Sequence, residues 1–338
     1  MKRWCSWPLV TLFTTSGCIS HDKVGDSADS IDTTPDDTAP DDTVPDDTAP
    51  HDTSSTVQYW TSDPDGFVQV AASEYHRCAL SSSGEVQCWG SSRFGKTDVP
   101  AGTYAQISVG RWSSCAISTD GVPVCWGCGH DDMYSADEGQ CSVGTGTAAQ
   151  IGAGDFFTVT LDPSGSLQLW SDSTSEQLLG ISEDELPSGV VSVDVGTDPG
   201  SRWLCTLDTA GAASCWSYPE LSSAYPHDEP GPFTEIRTGI EQVCAGTAEG
   251  EWTCWHDGGG ETLAPGTYID VDAGPYASCG ILPDGSILCA GALAAIAPPE
   301  GAFTQIAVGQ LYACAIRDDG AVACWGDLDE VEQYTSET

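Results

Sequence analysis

Basic residues are nearly absent from this chain. Its 338 residues carry 10 lysines and arginines against 51 aspartates and glutamates, a net charge of −41. A surface of that sign repels phosphate backbones and anionic headgroups, which excludes nucleic acid as a partner. Long apolar runs are missing too, and none reaches the roughly 20 residues that a membrane-spanning helix needs. Enzyme signatures are scarce: there is no His-Glu-x-x-His, no Gly-x-Ser-x-Gly and no phosphate-binding loop. The histidines beyond residue 56 are His76, His130, His227 and His256, scattered over separate segments. No catalytic residue, metal set or cofactor is therefore expected.

Cysteine and glycine, by contrast, are abundant and periodic. Six times two cysteines stand ten residues apart with a glycine at the sixth step: Cys78/Cys88, Cys115/Cys125, Cys205/Cys215, Cys244/Cys254, Cys279/Cys289 and Cys314/Cys324. A seventh copy, Val159 to Leu169 around Gly165, replaces both cysteines with apolar residues. The frames begin 37, 44, 46, 39, 35 and 35 residues apart, a period of propellers and solenoids. Spacing of ten sets the cysteines opposite each other if a three-residue loop joins two antiparallel strands. Such loops favour a type I turn followed by a left-handed glycine. Each pair is thus expected to be a cross-strand disulfide. Alternation along the last copy puts Cys314, Ile316, Val322 and Cys324 on one face and Ala315 and Trp325 on the other. Neither face is polar, so the sheet is covered on both sides, as in blades packed face to face. Val57-Gln58-Tyr59-Trp60 echoes Val86-Gln87-Cys88-Trp89, which predicts that the N-terminal segment pairs onto the C-terminal blade.

The fold class expected is all-β, a seven-bladed β-propeller with mostly three-stranded, disulfide-stapled blades over 57–338. Cys128 and Cys141 form a further pair within an insertion, and no cysteine of the folded part is left over, which points to an oxidising compartment. Residues 1–18 open Met1-Lys2-Arg3, continue apolar to Phe13 and end Thr15-Ser16-Gly17-Cys18, resembling a bacterial lipoprotein signal with Cys18 as the lipidated residue. Neither Ile19 nor Ser20 is the acidic residue that retains such proteins in the inner membrane. The resemblance therefore implies the outer membrane or cell surface, with secretion as the alternative. Residues 19–56 repeat Pro-Asp-Asp-Thr and read as a disordered acidic stalk; at roughly 3 Å per residue it reaches up to about 100 Å. The propeller itself has seven basic and forty acidic residues, a net −33, and Lys96 is its only lysine.

The repeat Phe303-Thr-Gln-Ile…Gly309…Cys314-Ala-Ile-Arg-Asp-Asp-Gly320-Ala-Val-Ala-Cys324-Trp-Gly326 resembles that of the regulator-of-chromosome-condensation family, whose members are seven-bladed propellers. The short period and linkers such as Val99-Pro100-Ala-Gly102-Thr-Tyr104 look more like its compact bacterial branch, which includes a secreted propeller-type β-lactamase inhibitory protein. The resemblance implies the fold. It carries over no contact residue, because the loops are where this sequence departs from the pattern.

Candidate function comes from comparing the copies with one another. The strands repeat, whereas the loop before each first cysteine varies and is rich in aromatics and arginine, the residue types of binding hot spots. The candidate partner-binding residues are Tyr75, His76, Arg111, Trp112, Asp155, Phe156, Phe157, Arg202, Trp203, Glu241, Gln242, Tyr276 and Tyr312. The insertions at 128–147 and 172–189 form a second candidate surface. The leading expectation is a monomeric recognition or scaffold module for a protein or cell-surface glycan, touching membrane only through its lipid. Two alternatives stand beside it: a polysaccharide hydrolase or lyase using two of Glu74, Asp155 and Glu241, and a structural envelope protein without a specific ligand. Cys125-Trp-Gly-Cys128 matches a redox or zinc dithiol only formally, since Cys125 already has a frame partner. The clusters around Asp63, Asp131 and Asp327 lack the alternating ligand spacing of a calcium loop.

Overall fold

The computed structural model describes residues 57–61, 66–128, 139–198, 201–218, 229–239, 242–256 and 262–328. The signal and stalk, Glu241, and most of the acidic clusters around Asp63 and Asp131 lie outside them. Seven antiparallel sheets follow one another along the chain. Blade 1 comprises Phe67–Ala72, His76–Ser81 and Val86–Gly90; blade 2, Tyr104–Val109, Ser114–Ser118 and Pro123–Trp126; blade 3, Gln150–Ala153, Thr158–Leu161 and Leu167–Trp170. Blade 4 comprises Val190–Asp198, Ser201–Asp208 and Ala213–Tyr218; blade 5, Phe233–Thr238, Gln242–Thr247 and Glu251–His256, with Gly266–Thr267 added at its edge. Blade 6 comprises Asp270–Ala273, Ala277–Ile281 and Ile287–Gly291; blade 7, Phe303–Val308, Tyr312–Arg317 and Val322–Gly326. The N-terminal strand Gln58–Trp60 joins blade 7 at its outer edge, with Gln58 opposite Cys324 and Trp60 opposite Val322. The ring is therefore closed by the segment that echoes a third strand.

Each hairpin turns as its spacing requires. Cys78 faces Cys88 across the ladder, Cys115 faces Cys125, and Cys205 faces Cys215. Cys244 faces Cys254, Cys279 faces Cys289, and Cys314 faces Cys324 in the same way. All six pairs are bonded, and so are Cys128 and Cys141. Seven disulfides fit an extracellular or otherwise oxidising environment. The loop glycines Gly84, Gly121, Gly165, Gly211, Gly250, Gly285 and Gly320 have φ between +77° and +87°, the left-handed region in which glycine carries no Cβ penalty. They also have a second task. The carbonyl of each accepts a hydrogen bond from the residue that opens the next blade (in blades 3 and 6 Ala148 and Tyr268, two residues before the first strand), from Tyr104 N–H on Gly84 (2.9 Å) round to Phe67 N–H on Gly320 (2.8 Å).

Among the described residues, buried apolar side chains gather in seven clusters, one at each junction between blades, rather than in one central core. Cys314, Ile316, Val322 and Cys324 of blade 7 pack on Phe67, Val70 and Ala79 of blade 1. On the opposite face, Ala313, Ala315, Ala323 and Trp325 meet Cys279 and Ile281 of blade 6. The disulfides thus serve two roles, as hairpin staples and as apolar filling between blades.

The expectation of full cover on both faces needs correction at the third strands. The first cysteine of every frame pair is buried, but the second is only half-buried at Cys88, Cys125, Cys254 and Cys289. Those four lie on the third strand of their blades, which is the outermost strand in blades 1, 2 and 6. The strand added to blade 5 pairs only with Glu251 and Trp252, so it stops short of Cys254. Among the described residues no added strand lies beside Cys289, since blade 6 ends with Ile287–Gly291. In blade 7 the N-terminal strand reaches Cys324, which is fully buried.

Blade 3 has no disulfide; there Val159 and Leu169 sit opposite each other in the ladder. The 172–189 insertion folds a short helix, Ser175–Leu179, whose Leu178 and Leu179 are buried with Val159, Val195 and Leu204. Part of this expected partner surface is therefore core.

Candidate functional site

The first strand of every blade lines a central channel, which encloses a cavity of about 240 Å³. Polar side chains on these strands reach sideways and fasten each blade to the next. Gln69 accepts from Ile107 N–H and donates to the Ile107 carbonyl, both at 2.9 Å, so one side chain imitates a β-ladder. Gln305 does the same for Val70 across the closing seam, at 2.6 and 3.0 Å. Gln106 accepts from Ile151 N–H, and Gln150 from Val193 N–H. Between blades 4 and 7 the links become charged. Asp194 accepts from the Thr238 amide and hydroxyl at 2.7 and 2.8 Å, and Asp270 and Asp272 accept from Ile306 N–H and Val308 N–H at 2.9 and 2.6 Å. Arg237 reaches Asp270 at 3.5 Å.

Burial pushes Asp272 up to about 7 and raises Asp194 and Asp270 as well. Burial opposes the charge of Arg237, but Asp270, Asp194, Glu235 and Asp272 outweigh it and hold the guanidinium above its ordinary value. The belt is a closure device.

A different cluster forms at the end where first strands turn into second strands. The turn there is lined by close backbone contacts: a Cβ on Gly309 would lie 2.8 Å from the Ser73 carbonyl, and one on Gly274 2.5 Å from that of Gly309. Beyond it, blades 1 and 2 bring together Tyr75, Trp112 and Phe94. The Tyr75 and Trp112 rings lie 5.2 Å apart, with Phe94 edge-on to Trp112 at 5.8 Å. Arg111 pairs with Glu74 at 2.6 Å and donates to the Tyr75 hydroxyl at 2.9 Å. The Lys96 ammonium sits 4.9 Å from the Tyr75 ring and 5.2 Å from that of Trp112, while Arg93 covers Phe94 at 4.7 Å. Burial and the neighbouring Arg93 lower the Lys96 amine to about 8. Phe94, at φ +66°, is the one non-glycine among the described residues with a positive φ, a strained backbone that sets its ring against Trp112.

Three of the propeller's seven cations thus gather around three rings with Glu74 beside them. Comparison of the loops before each first cysteine finds Tyr75, Arg111 and Trp112. It misses Arg93, Phe94 and Lys96, which come from the link after blade 1. The uniqueness of Lys96 was the available signal.

The other expected contact residues do not join them. His76, Asp155, Phe157, Trp203, Gln242 and Tyr312 are buried, at most 5% exposed, so a partner does not reach them. Their roles are internal. His76 Nε2 lies 2.7 Å from Ser114 Oγ, whose hydroxyl donates to the Lys96 carbonyl, so the ring carries its proton on Nε2. Burial and two nearby cations keep it neutral. Gln242 donates to the carbonyls of Gly274 and Ala277 in blade 6, at 3.0 and 2.7 Å. The Tyr312 hydroxyl donates to the His76 carbonyl across the seam at 3.1 Å, and buried Arg77 lies between the Tyr312 and Trp60 rings, 5.3 and 5.0 Å away. A loop tight enough to close a seven-fold ring has to bury such side chains, which the variable loop sequences do not reveal. Phe156 is half-buried and Tyr276 is exposed, at 53%. The side chain of Arg202 and all of Glu241 lie outside the described residues. Among the carboxylates proposed for hydrolysis, Glu74 is committed to Arg111 and Asp155 is buried. Cys125 and Cys128 pair with Cys115 and Cys141, so the formal dithiol motif does not exist.

Residues 67–96 match the family model of the regulator of chromosome condensation (RCC1) repeat. The fold is similar to the CRINKLY WD40 ectodomain of the Arabidopsis thaliana receptor kinase ACR4, with a TM-score of 0.59 and 20% identity over 78% of this chain and 96% of that one. It is similar to the ectodomain of the Physcomitrella patens receptor kinase CR4 (TM-score 0.58, 21% identity, 78% and 73% covered). It is likewise similar to yeast RCC1 (Prp20), solved bound to Kap60 (TM-score 0.57, 12% identity, 78% and 81% covered). No curated protein matches the chain in sequence. Identities this low speak to the fold alone.

Proposed function

We propose that this RCC1-like repeat propeller is a recognition module held at the cell surface, and that it binds an acidic protein segment through the blade 1–2 cluster. The observation carrying this reading is an island of positive charge and half-exposed aromatic rings, Arg93, Phe94, Tyr75, Arg111 and Trp112, on a domain of net charge −33. Opposite charge steers the encounter, and the rings supply apolar contact area once water is excluded. Similar propellers occur as receptor-kinase ectodomains and in a complex with Kap60, which fits a binding role. The stalk and a lipid on Cys18 would present the domain away from the outer membrane. Binding is better supported than hydrolysis, since Glu74 is neutralised by Arg111.

The test is capture of envelope proteins by the full chain and by an Arg93→Glu/Trp112→Ala variant of matched stability. A partner kept by the former, lost by the latter and released by raised salt is the expected result. Equal recovery by both would reject the surface.

A further inference from the structure

One corner of each blade is filled by a ring in five blades of seven. The residue that opens the blade is Phe67, Tyr104, Phe233, Tyr268 or Phe303. In blades 1, 2 and 5 this ring packs on the tryptophan after the second cysteine: Phe67 on Trp89, Tyr104 on Trp126 and Phe233 on Trp255, with centroids 5.8, 6.3 and 5.8 Å apart. Where the ring is tyrosine, its hydroxyl donates to the carbonyl four residues back, Tyr104 to Pro100 at 2.8 Å and Tyr268 to Ala264 at 3.0 Å.

Blade 3 keeps this arrangement without the ring. Its lead-in, Gly144-Thr-Gly-Thr-Ala148, parallels Pro100-Ala-Gly-Thr-Tyr104 and Ala264-Pro-Gly-Thr-Tyr268. The Ala148 N–H bonds to the Gly121 carbonyl at 2.9 Å, as Tyr104 does to Gly84 and Tyr268 to Gly250. The backbone thus follows the tyrosine path, and the side chain stops at Cβ. A cavity of about 350 Å³ lies there, lined among others by Pro123, Thr147, Ala148, Thr160, Gln168 and Trp170, within the size range of small-ligand sites. The Trp170 indole N–H is already spent on Thr160 Oγ1 at 2.9 Å, so the residue offers its ring. Blade 4 also lacks the aromatic, having Val190, but its Trp216 packs against the Leu178–Leu179 cluster of the insertion.

We propose that the blade 3 cavity is a binding site for a phenolic ring, the tyrosyl side chain of a partner protein. The ring would lie against Trp170 and Pro123 and its hydroxyl would donate to the Gly144 carbonyl, reproducing in trans what Tyr104 and Tyr268 do within the chain. The exposed Gln168 and Thr147 stand at the rim for the peptide that carries the ring. This site is separate from the blade 1–2 cluster, and its failure leaves that reading standing.

The experiment titrates the full chain, with its tryptophans labelled with nitrogen-15, against p-cresol, toluene and methyl β-glucopyranoside. The Trp170 indole signal, assigned with Trp170→Phe, reports binding. The proposal expects it to shift with p-cresol, to show about fivefold weaker binding of toluene for want of one hydrogen bond, and to ignore the glucoside. Ala148→Tyr should fill the site from within, abolish the p-cresol shift and raise the melting temperature. A Trp170 signal that ignores p-cresol, or that answers to the glucoside instead, overturns the proposal. So does an Ala148→Tyr chain that still binds p-cresol, melts lower or fails to fold, since the backbone would then not be a tyrosine site. The comparison of p-cresol with toluene needs no variant.

Discussion

Replacing Cys205 and Cys215 with alanine tests the double role assigned to the blade disulfides. Both residues are fully buried, and their sulfurs belong to the cluster that blade 4 shares with Ile236 and Val243 of blade 5. Opening a cross-link of sequence separation 10 returns roughly 2.7 kcal/mol of chain entropy to the unfolded state. Removing two buried sulfurs, each comparable to a methylene, costs about 0.8 kcal/mol apiece. The expected loss is therefore about 4 kcal/mol, against a typical domain stability of about 5–15 kcal/mol. It is read by chemical denaturation followed through tryptophan fluorescence. Hydrogen exchange should show the deprotection concentrated in blades 4 and 5, because the sulfurs fill that junction and no other. A loss below about 1 kcal/mol would refute the energetic argument. Deprotection confined to blade 4 would refute the shared interface.

Gly211→Ala should destabilise more than Gly121→Ala, although both glycines are left-handed at φ +77° and +83°. Each change carries the roughly 1–2 kcal/mol of a left-handed alanine, but a Cβ on Gly211 also meets the Phe233 carbonyl at 2.8 Å, whereas on Gly121 its nearest neighbour is Thr147 at 3.8 Å; equal melting temperatures would contradict this. Gln305→Ala removes both hydrogen bonds to Val70, so a loss of about 1–2 kcal/mol is expected, with faster exchange of the Val70 amide. Asp272, held near 7, makes the folded state bind more protons than the unfolded one, whose aspartates titrate near 3.9. Its contribution to stability is thus present at low pH and lost as pH rises through about 4 to 7. Asp272→Asn, which stays neutral and can still accept from Val308 N–H, should flatten the melting curve against pH and melt above the parent at pH ~8; parallel curves would show that Arg237, Asp194 and Asp270 leave no such penalty.

The polar belt shows where legibility in sequence ended. Gln69, Gln106, Gln150, Asp270 and Gln305 occupy one position of the repeat, two residues after the blade-opening residue, and Asp194 and Asp272 stand two places further on. The periodicity is visible in the sequence. That the side chains reach sideways to a neighbouring backbone is not, because such a bond needs the ring to exist first. Lys96 is similar: its uniqueness is plain, but its place between Tyr75 and Trp112 joins residues from two blades.

By itself, the sequence determined the repeat unit, its turns, its disulfides, its two apolar faces and the terminus that closes the ring. The repeat, its turns, its hairpin disulfides and its faces follow from alternation, loop length and glycine chirality, which act within about ten residues along the chain. The closing terminus follows from its likeness to a third strand. Tertiary structure alone decided which residues of the repeat are exposed. Cys254 and Cys324 hold the same place in their frames, yet only the latter is fully covered. His76, Trp203 and Tyr312 look like binding residues in sequence and are buried in the ring, while Ala148, inconspicuous in sequence, opens a cavity. Burial depends on what the neighbouring blade brings to the same place, and no local pattern encodes that.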